Sequence, residues 1–316
     1  MTPLEFETLY ESRWAELEAS LRRTPRELDP ERFLELYRMC CEHLSLATAR
    51  GFPAYVIERL ANITAAAHQI VYRQSGFGLA RLSQALLVRF PAMVRAHRNY
   101  VWAAAILFMG PAMVVGIATY IRPELILSVV DGQTAAQFER MYSPSAESIG
   151  RLRDAGTNWT MFGFYIKNNI GIAFQCYATG VIFGLGSMFF LGFNGFYTGA
   201  VAGYVASLGY GGTFFPFVAT HSAFELTAIV LSGAAGLRIG QALLLPGRLP
   251  RLLSLQIAAR ETSPIVFGAA VMLLLAAAVE AFWSSAPWVS PAAKFTGAAA
   301  CWTLVLLFFL RRPHAT

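Results

Sequence analysis

Charge is scarce in this chain. Of its 316 residues only 14% are Asp, Glu, Lys or Arg, against 56% hydrophobic, and mean hydropathy is +0.48, a balance that soluble domains of this size rarely show. Cysteine is also scarce. Cys40 and Cys41 are neighbours and Cys176 and Cys301 fall in apolar segments, so no spacing suggests a zinc site or a disulfide framework, and they read as small buried hydrophobes. His-Glu-x-x-His, Gly-x-Ser-x-Gly and paired aspartates are absent, which removes the zinc-protease and intramembrane hydrolase patterns. No glycine-rich segment runs into Lys-Ser/Thr, so nothing cradles a phosphate. The chain is not read as an enzyme, and no cofactor is expected. A signal peptide is not evident either: Met-Thr-Pro-Leu-Glu-Phe-Glu is acidic and lacks an apolar core. Insertion is then expected to be directed by the first transmembrane helix.

Long apolar runs are what the chain does have. Six candidate spans lie at roughly 101–120, 171–192, 195–211, 217–245, 265–283 and 295–310. The pI of about 9.3 does not point to nucleic acid, because the basic excess is divided among segments flanking these runs instead of forming one stripe. Arg89, Arg95 and Arg98 precede the first span, Arg238, Arg248, Arg251 and Arg260 surround the loop between the fourth and fifth, and Arg311 and Arg312 follow the last. All three groups belong on the cytoplasmic side, which six crossings satisfy. The segment 122–157 is then extracytoplasmic, with one short helix. Asn158 to Asn169 reads as an interfacial helix entering the bilayer, anchored by Trp159, Tyr165 and Lys167.

Residues 1–99 read as a separate cytoplasmic helical bundle before a transmembrane domain over 100–316. Thr2-Pro3-Leu4-Glu5 and Thr24-Pro25-Arg26-Glu27 each supply an N-cap hydroxyl, a first-turn proline and a capping-box glutamate, and Asp29-Pro30 starts a further helix. In that helix Phe33, Leu36, Tyr37, Cys40, Leu44 and Ala47 form one apolar stripe. Gly51-Phe52-Pro53 breaks it. Two more helices follow, about 54–73 and 79–98, separated by residues 74–78, with Pro91 bending or ending the second. The bundle has thirteen arginines and no lysine against eleven acidic residues, and it can meet either a protein or anionic lipid.

Ionisable groups inside a span are expensive and mark function by default. His221 and Glu225 are four apart in the fourth span, so they share a helix face. Glu280 falls near the same end of the fifth, and the three could converge at one depth as a proton relay, an ion site or a satisfied polar network. A three-ligand metal site can be drawn from them, but their mutual spacing is unread and no metal is assigned. Asn168 and Asn169 need partners once below the headgroups. Gly180 and Gly184, then Gly195, Gly199 and Gly203, then Gly236 and Gly240 repeat at four, which puts small residues on one face. They should pack the second, third and fourth spans tightly, and could line a conduit or a homodimer interface. Asn194-Gly195 suits a tight turn between the second and third spans.

The order Lys167-Asn168-Asn169, Gly180, Gly184, Gly186, Asn194-Gly195, Gly199, His221, Glu225, Gly236, Gly240, Pro246-Gly247 and Val279-Glu280-Ala281-Phe282 resembles the stage II sporulation protein M family of bacterial membrane proteins over about residues 160–285. The family usually has His-Gly where this chain has His221-Ser222. The resemblance implies an all-α polytopic protein of the bacterial inner membrane with both termini cytoplasmic, in which Asn168, Asn169, Asn194, His221, Glu225 and Glu280 are the characteristic polar positions. The family's namesake is thought to help assemble peptidoglycan-degrading proteins, as a scaffold and not a catalyst. Two readings follow. One is a membrane scaffold recruiting envelope proteins, with the bilayer and a second copy of itself as further partners. The other is a channel or transporter for a cation, proton or small solute using His221, Glu225 and Glu280.

Overall fold

The computed structural model describes residues 2–22, 29–71, 79–145, 149–150 and 157–311. Every regular element among them is helical, as an all-α fold requires. The chain forms two compact units, Met1–Gly78 and Leu79–Thr316.

Capping chemistry starts the first unit. Thr2 Oγ1 accepts from the Glu5 backbone N–H at 3.3 Å while Glu5 Oε2 accepts from the Thr2 N–H at 2.8 Å, the reciprocal box that opens α1 (Pro3–Leu21). Asp29 caps α2 (Pro30–Ala49) through the N–H groups of Glu31 and Arg32. Gly51, at φ +62°, supplies the left-handed turn that leads into α3 (Ala54–Val71). The cap expected at Thr24 and the linker at 74–78 lie outside the described residues. The three helices enclose Phe6, Trp14 and Leu17 of α1, Leu36 and Cys40 of α2, and Val56, Leu60 and Ile63 of α3. The Trp14 indole N–H donates to His43 Nδ1 at 3.0 Å, which satisfies a ring that would otherwise bury an unpaired donor. Burial pushes the His43 pKa down. Arg59 of α3 reaches Glu11 at 2.7 Å and Glu18 at 3.1 Å on α1.

Residues 79–98, expected in the N-terminal bundle, belong instead to the second unit. They form α4 (Leu79–Gln84), a π-helical turn (Ala85–Arg89) and α5 (Phe90–Ala96). The wide turn precedes Pro91 and absorbs its missing N–H, so the proline sits in the first turn of α5 without ending the path. Phe90 is buried, its ring 5.3 Å from that of Phe309 and close enough to Gly268 that a Cβ there would collide with it. That apolar face needs the membrane helices and pulls the segment with it.

Among the described residues four helices, where the sequence suggests six, are long and apolar enough to cross a membrane: α6 (Arg98–Ile121), α10 (Gly211–Leu244), α11 (Arg251–Val279) continued by a π-helical turn (Glu280–Ser284), and α12 (Pro291–Leu310). Their outward faces carry Trp102, Ile106, Val114, Leu304, Leu307 and Leu310, all more than half exposed, a surface suited to lipid. Between α6 and α10 the helix break is displaced from its expected place. α8 (Asn158–Ala178) and α9 (Leu185–Ser207) are joined by a 3₁₀ turn at Thr179–Val181 and by Phe183 and Gly184 at φ +50° and +84°. Asn194-Gly195 is therefore no turn. It lies inside α9, where the Asn194 side-chain NH₂ donates to the Phe190 carbonyl at 2.7 Å. The break goes to 179–184 because only glycine fits there: a Cβ on Gly180 would stand 2.2 Å from the Gly236 carbonyl oxygen, and one on Gly240 2.2 Å from the Gly184 nitrogen.

The other glycine face packs differently from the expectation. Gly195, Gly199 and Gly203 of α9 lie against the backbone of Phe108, Ala112 and Gly116 of α6, where an added Cβ would come within 2.0 to 2.2 Å of a carbonyl oxygen. The glycine faces thus serve contacts within one chain, and a dimer would use other surfaces. Between α6 and α8 the chain makes a 3₁₀ turn (Pro123–Ser128) and α7 (Gly132–Tyr142), capped by Asp131. Tyr204 of α9 donates to Glu139 of α7 at 2.5 Å, and Thr213 Oγ1 donates to the Tyr142 carbonyl, which fixes α7 against the ends of α9 and α10.

Candidate functional site

One face of α10 carries both His221 and Glu225, one turn apart as the spacing predicts, with His221 Nε2 3.9 Å from Glu225 Oε2. Glu280 opens the π-helical turn after α11 and is buried beside them. One ligand atom from each of the three lies within 4.8 Å of the others. Depth alone suggested this convergence; in the structure the end of α11 and the wide turn that follows it place Glu280 and Ser284 beside α10 together.

Ser284 links the surrounding groups. Its Oγ lies 3.1 Å from His221 Nδ1, and its carbonyl accepts from Lys294 Nζ at 2.7 Å. Lys294, 3% exposed, is held in turn by Thr220, whose hydroxyl donates to the Lys294 carbonyl at 3.2 Å. The ring of Phe217 meets the His221 ring edge-on at 5.3 Å. Neither Lys294 nor Ser284 is a residue the sequence analysis singled out. A lysine within an apolar run is itself a signal, but Ser290-Pro291-Ala-Ala-Lys294 looks like a helix start at the interface.

His221, Glu225, Glu280 and Phe217 stand on the wall of a cavity of about 560 Å³ between α6, α7, α8, α9, α10 and the Glu280 turn, with Ser284, Thr220 and Lys294 behind them. Asn168, Asn169, Asn194, Tyr165 and Tyr197 line it as well, so the polar positions named from sequence share one enclosure with His221, Glu225 and Glu280. Asn168 donates to Asn169 Oδ1 at 2.9 Å. Asn169 is 3% exposed, and its NH₂ finds no acceptor among the described residues. Tyr165, expected as an interfacial anchor beside Trp159 and Lys167, is buried against Ala277 and Ala281 and faces this cavity; Trp159 is exposed. Gly195 and the other packing glycines bring the helices close around the cavity without contributing a polar group.

Beyond the cavity, Arg238 of α10 pairs with Glu261 of α11 at 2.8 Å, and His97 stands 3.7 Å from the same carboxylate. The helices that hold the site are therefore tied at a second level, about five turns along α10 from His221.

Two family models match the chain. Residues 4–73, in the first unit, match one described as Domain of unknown function (DUF8413). No curated protein sequence and no solved structure matches this chain. Residues 103–285 match the other, stage II sporulation protein M, and include every residue on the cavity wall; Lys294, behind Ser284, lies beyond them. With more than half of its length matched, the chain belongs to the stage II sporulation protein M family.

Proposed function

We propose that this membrane protein binds a small cation or proton in the cavity and passes it across the bilayer. One observation carries the reading: His221 and Glu225 of α10 and Glu280 of the turn after α11 converge on the wall of a single cavity of about 560 Å³. A polar network that only held helices together would fill its space, since a void among apolar helices forfeits packing. Carboxylates beside a cavity inside a membrane domain suit a positively charged solute, which they desolvate at lower cost than lipid does.

In this reading α8 and α9 cross the bilayer together with the four more apolar helices. At 21 and 23 residues they reach about 30 Å, the thickness of the hydrocarbon core. Asn168 and Asn169 of α8 and Asn194, Tyr197 and Thr198 of α9 face the cavity. Six crossings leave both termini on the side of Arg95, Arg98, Arg248, Arg251 and Arg311, the cytoplasmic side of a bacterial inner membrane. The test is ion and proton flux into liposomes holding the purified chain, with Glu225→Gln alongside. Flux that the substitution abolishes supports transport; silence across several cations and a proton gradient overturns it.

A scaffold role is the second reading, favoured by the compact first unit, which has a core of its own and matches a separate family model. Cross-linking in cells with a photoreactive residue on the exposed face of α2 would then recover a defined envelope protein. Recovery of lipid and the chain itself alone would count against it.

A further inference from the structure

We propose that His221, Glu225 and Glu280 form a binding site for a divalent first-row transition metal ion. The inference deepens the cation reading and rests on the cavity being where the cation binds.

The geometry brings three ligand types within reach of one atom. Their donor atoms lie within 4.8 Å of one another, so a point at the centre of the triangle is at most about 2.8 Å from each, and metal–nitrogen and metal–oxygen bonds are about 2.0–2.2 Å. Small side-chain rotations of the two glutamates close that difference. His221 Nε2 and Glu225 Oε2, at 3.9 Å, are too far apart for a hydrogen bond. Two atoms bound at right angles to one metal stand about 3 Å apart, so the pair needs only to close slightly on an ion.

The second shell agrees. A histidine that ligates through one ring nitrogen orients itself by donating from the other. His221 Nδ1 has Ser284 Oγ at 3.1 Å; with Nδ1 donating to that hydroxyl oxygen, Nε2 presents its lone pair to the ion beside Glu225. Ser284 belongs to the same π-helical turn as Glu280, so one turn supplies a ligand and steers another. Lys294 directs its ammonium to the Ser284 carbonyl at 2.7 Å and fixes that turn.

Charge and donor type select the ion. Two carboxylates outweigh the Lys294 ammonium held behind Ser284, so the site favours a cation. The imidazole favours zinc, iron, cobalt or nickel over magnesium and calcium, which prefer all-oxygen sites. Three protein ligands leave coordination positions open toward the cavity for water, unlike the closed four-ligand sites that hold structural zinc. Asn169, on the same wall with a buried NH₂ that has no acceptor among the described residues, can donate to that water. An ion bound this way can leave as well as enter.

The experiment uses the full chain in detergent micelles with Co²⁺ as the probe, followed by its visible absorption and by equilibrium dialysis. The expected result is one Co²⁺ per chain with visible bands, displaced by Zn²⁺ and not by Mg²⁺ or Ca²⁺. His221→Ala, Glu225→Gln and Glu280→Gln each weaken binding by about a hundredfold, and Ser284→Ala by about tenfold, while Glu124→Gln on the exposed segment changes nothing. Should the three ligand variants fail to fold, Ser284→Ala decides alone, since it removes only the orienting hydroxyl. Sub-stoichiometric Co²⁺, displacement by Ca²⁺ as readily as by Zn²⁺, or full affinity in Ser284→Ala would overturn the site. Proton or monovalent-cation flux without metal binding defeats the metal site and leaves transport standing; stoichiometric Co²⁺ binding without flux of any cation does the reverse.

Discussion

Arg238 of α10 and Glu261 of α11 meet at 2.8 Å, the arginine side chain only 18% exposed. Glu261 is 39% exposed, so solvent screens the pair from one side. Arg238→Leu alone is therefore expected to cost no more than about 1 kcal/mol, and the double variant Arg238→Leu with Glu261→Leu less than the sum of the single changes. Unfolding of the purified variants in mixed micelles measures this. Strictly additive losses would show that the pair does not act as a unit.

Where α9 crosses α6, a side chain has no room. A Cβ on Gly203 would stand 2.1 Å from the Gly116 carbonyl oxygen, whereas Gly163 on α8 has nothing within 4 Å. Gly203→Val should destabilise the second unit by about 1–3 kcal/mol or abolish its folding. Gly163→Ala should be neutral or slightly stabilising, as glycine is a poor helix former. Thermal unfolding followed by light scattering separates the two, and equal midpoints would be incompatible with this packing.

His43 gives the first unit a pH dependence. Burial lowers its pKa in the folded state, so below the ordinary histidine range of about 6.5 the unfolded chain binds more protons than the folded one. The stability this contributes is complete above pH ~6.5 and declines as pH falls toward the lowered value. Hydrogen exchange of α1 and α2 peptides, corrected for intrinsic rates, should show protection falling between neutral and mildly acid pH in the wild type. In His43→Gln that fall should flatten.

Arg59 ties α3 to α1 by two ion pairs and lies 5.8 Å above the Trp14 ring. Its side chain is one-third exposed, so solvent screens the pairs and each is worth well under about 1 kcal/mol, with the ring contact adding a comparable amount. Arg59→Ala should lower the stability of the first unit by about 1–2 kcal/mol, and the loss should shrink in molar salt. A salt-independent loss would assign the effect to the aliphatic stem packing on Trp14.

The sequence already carried the His221–Glu225 relation, because four residues along a helix is a distance that tertiary structure cannot undo. The caps at Thr2 and Asp29 were legible for the same reason: they are local. Glu280 could be placed only by depth, since its approach to His221 depends on a widened turn that no residue between 279 and 285 announces. Asn194-Gly195 misled because the pair is a turn signal in water, while here Gly195 is needed flat against Phe108 and Asn194 satisfies its amide on its own helix. The true break at 179–184 contains no proline; its necessity lies in Gly236 and Gly240, more than fifty residues away. Residues 79–98 group with the second unit because Phe90 packs on Gly268 and Phe309, partners far along the chain that the local sequence does not name.

The α6–α9 contact also bears on how the cavity can change shape. With backbone against backbone at Gly195, Gly199 and Gly203, the two helices have no rotamers between them to rearrange, so neither can slide or rotate past the other without a clash. They move as one stiff wall. Any breathing of the enclosure then falls to the helices across from it, α8 and the α11 turn that carries Glu280, whose neighbours are side chains able to repack.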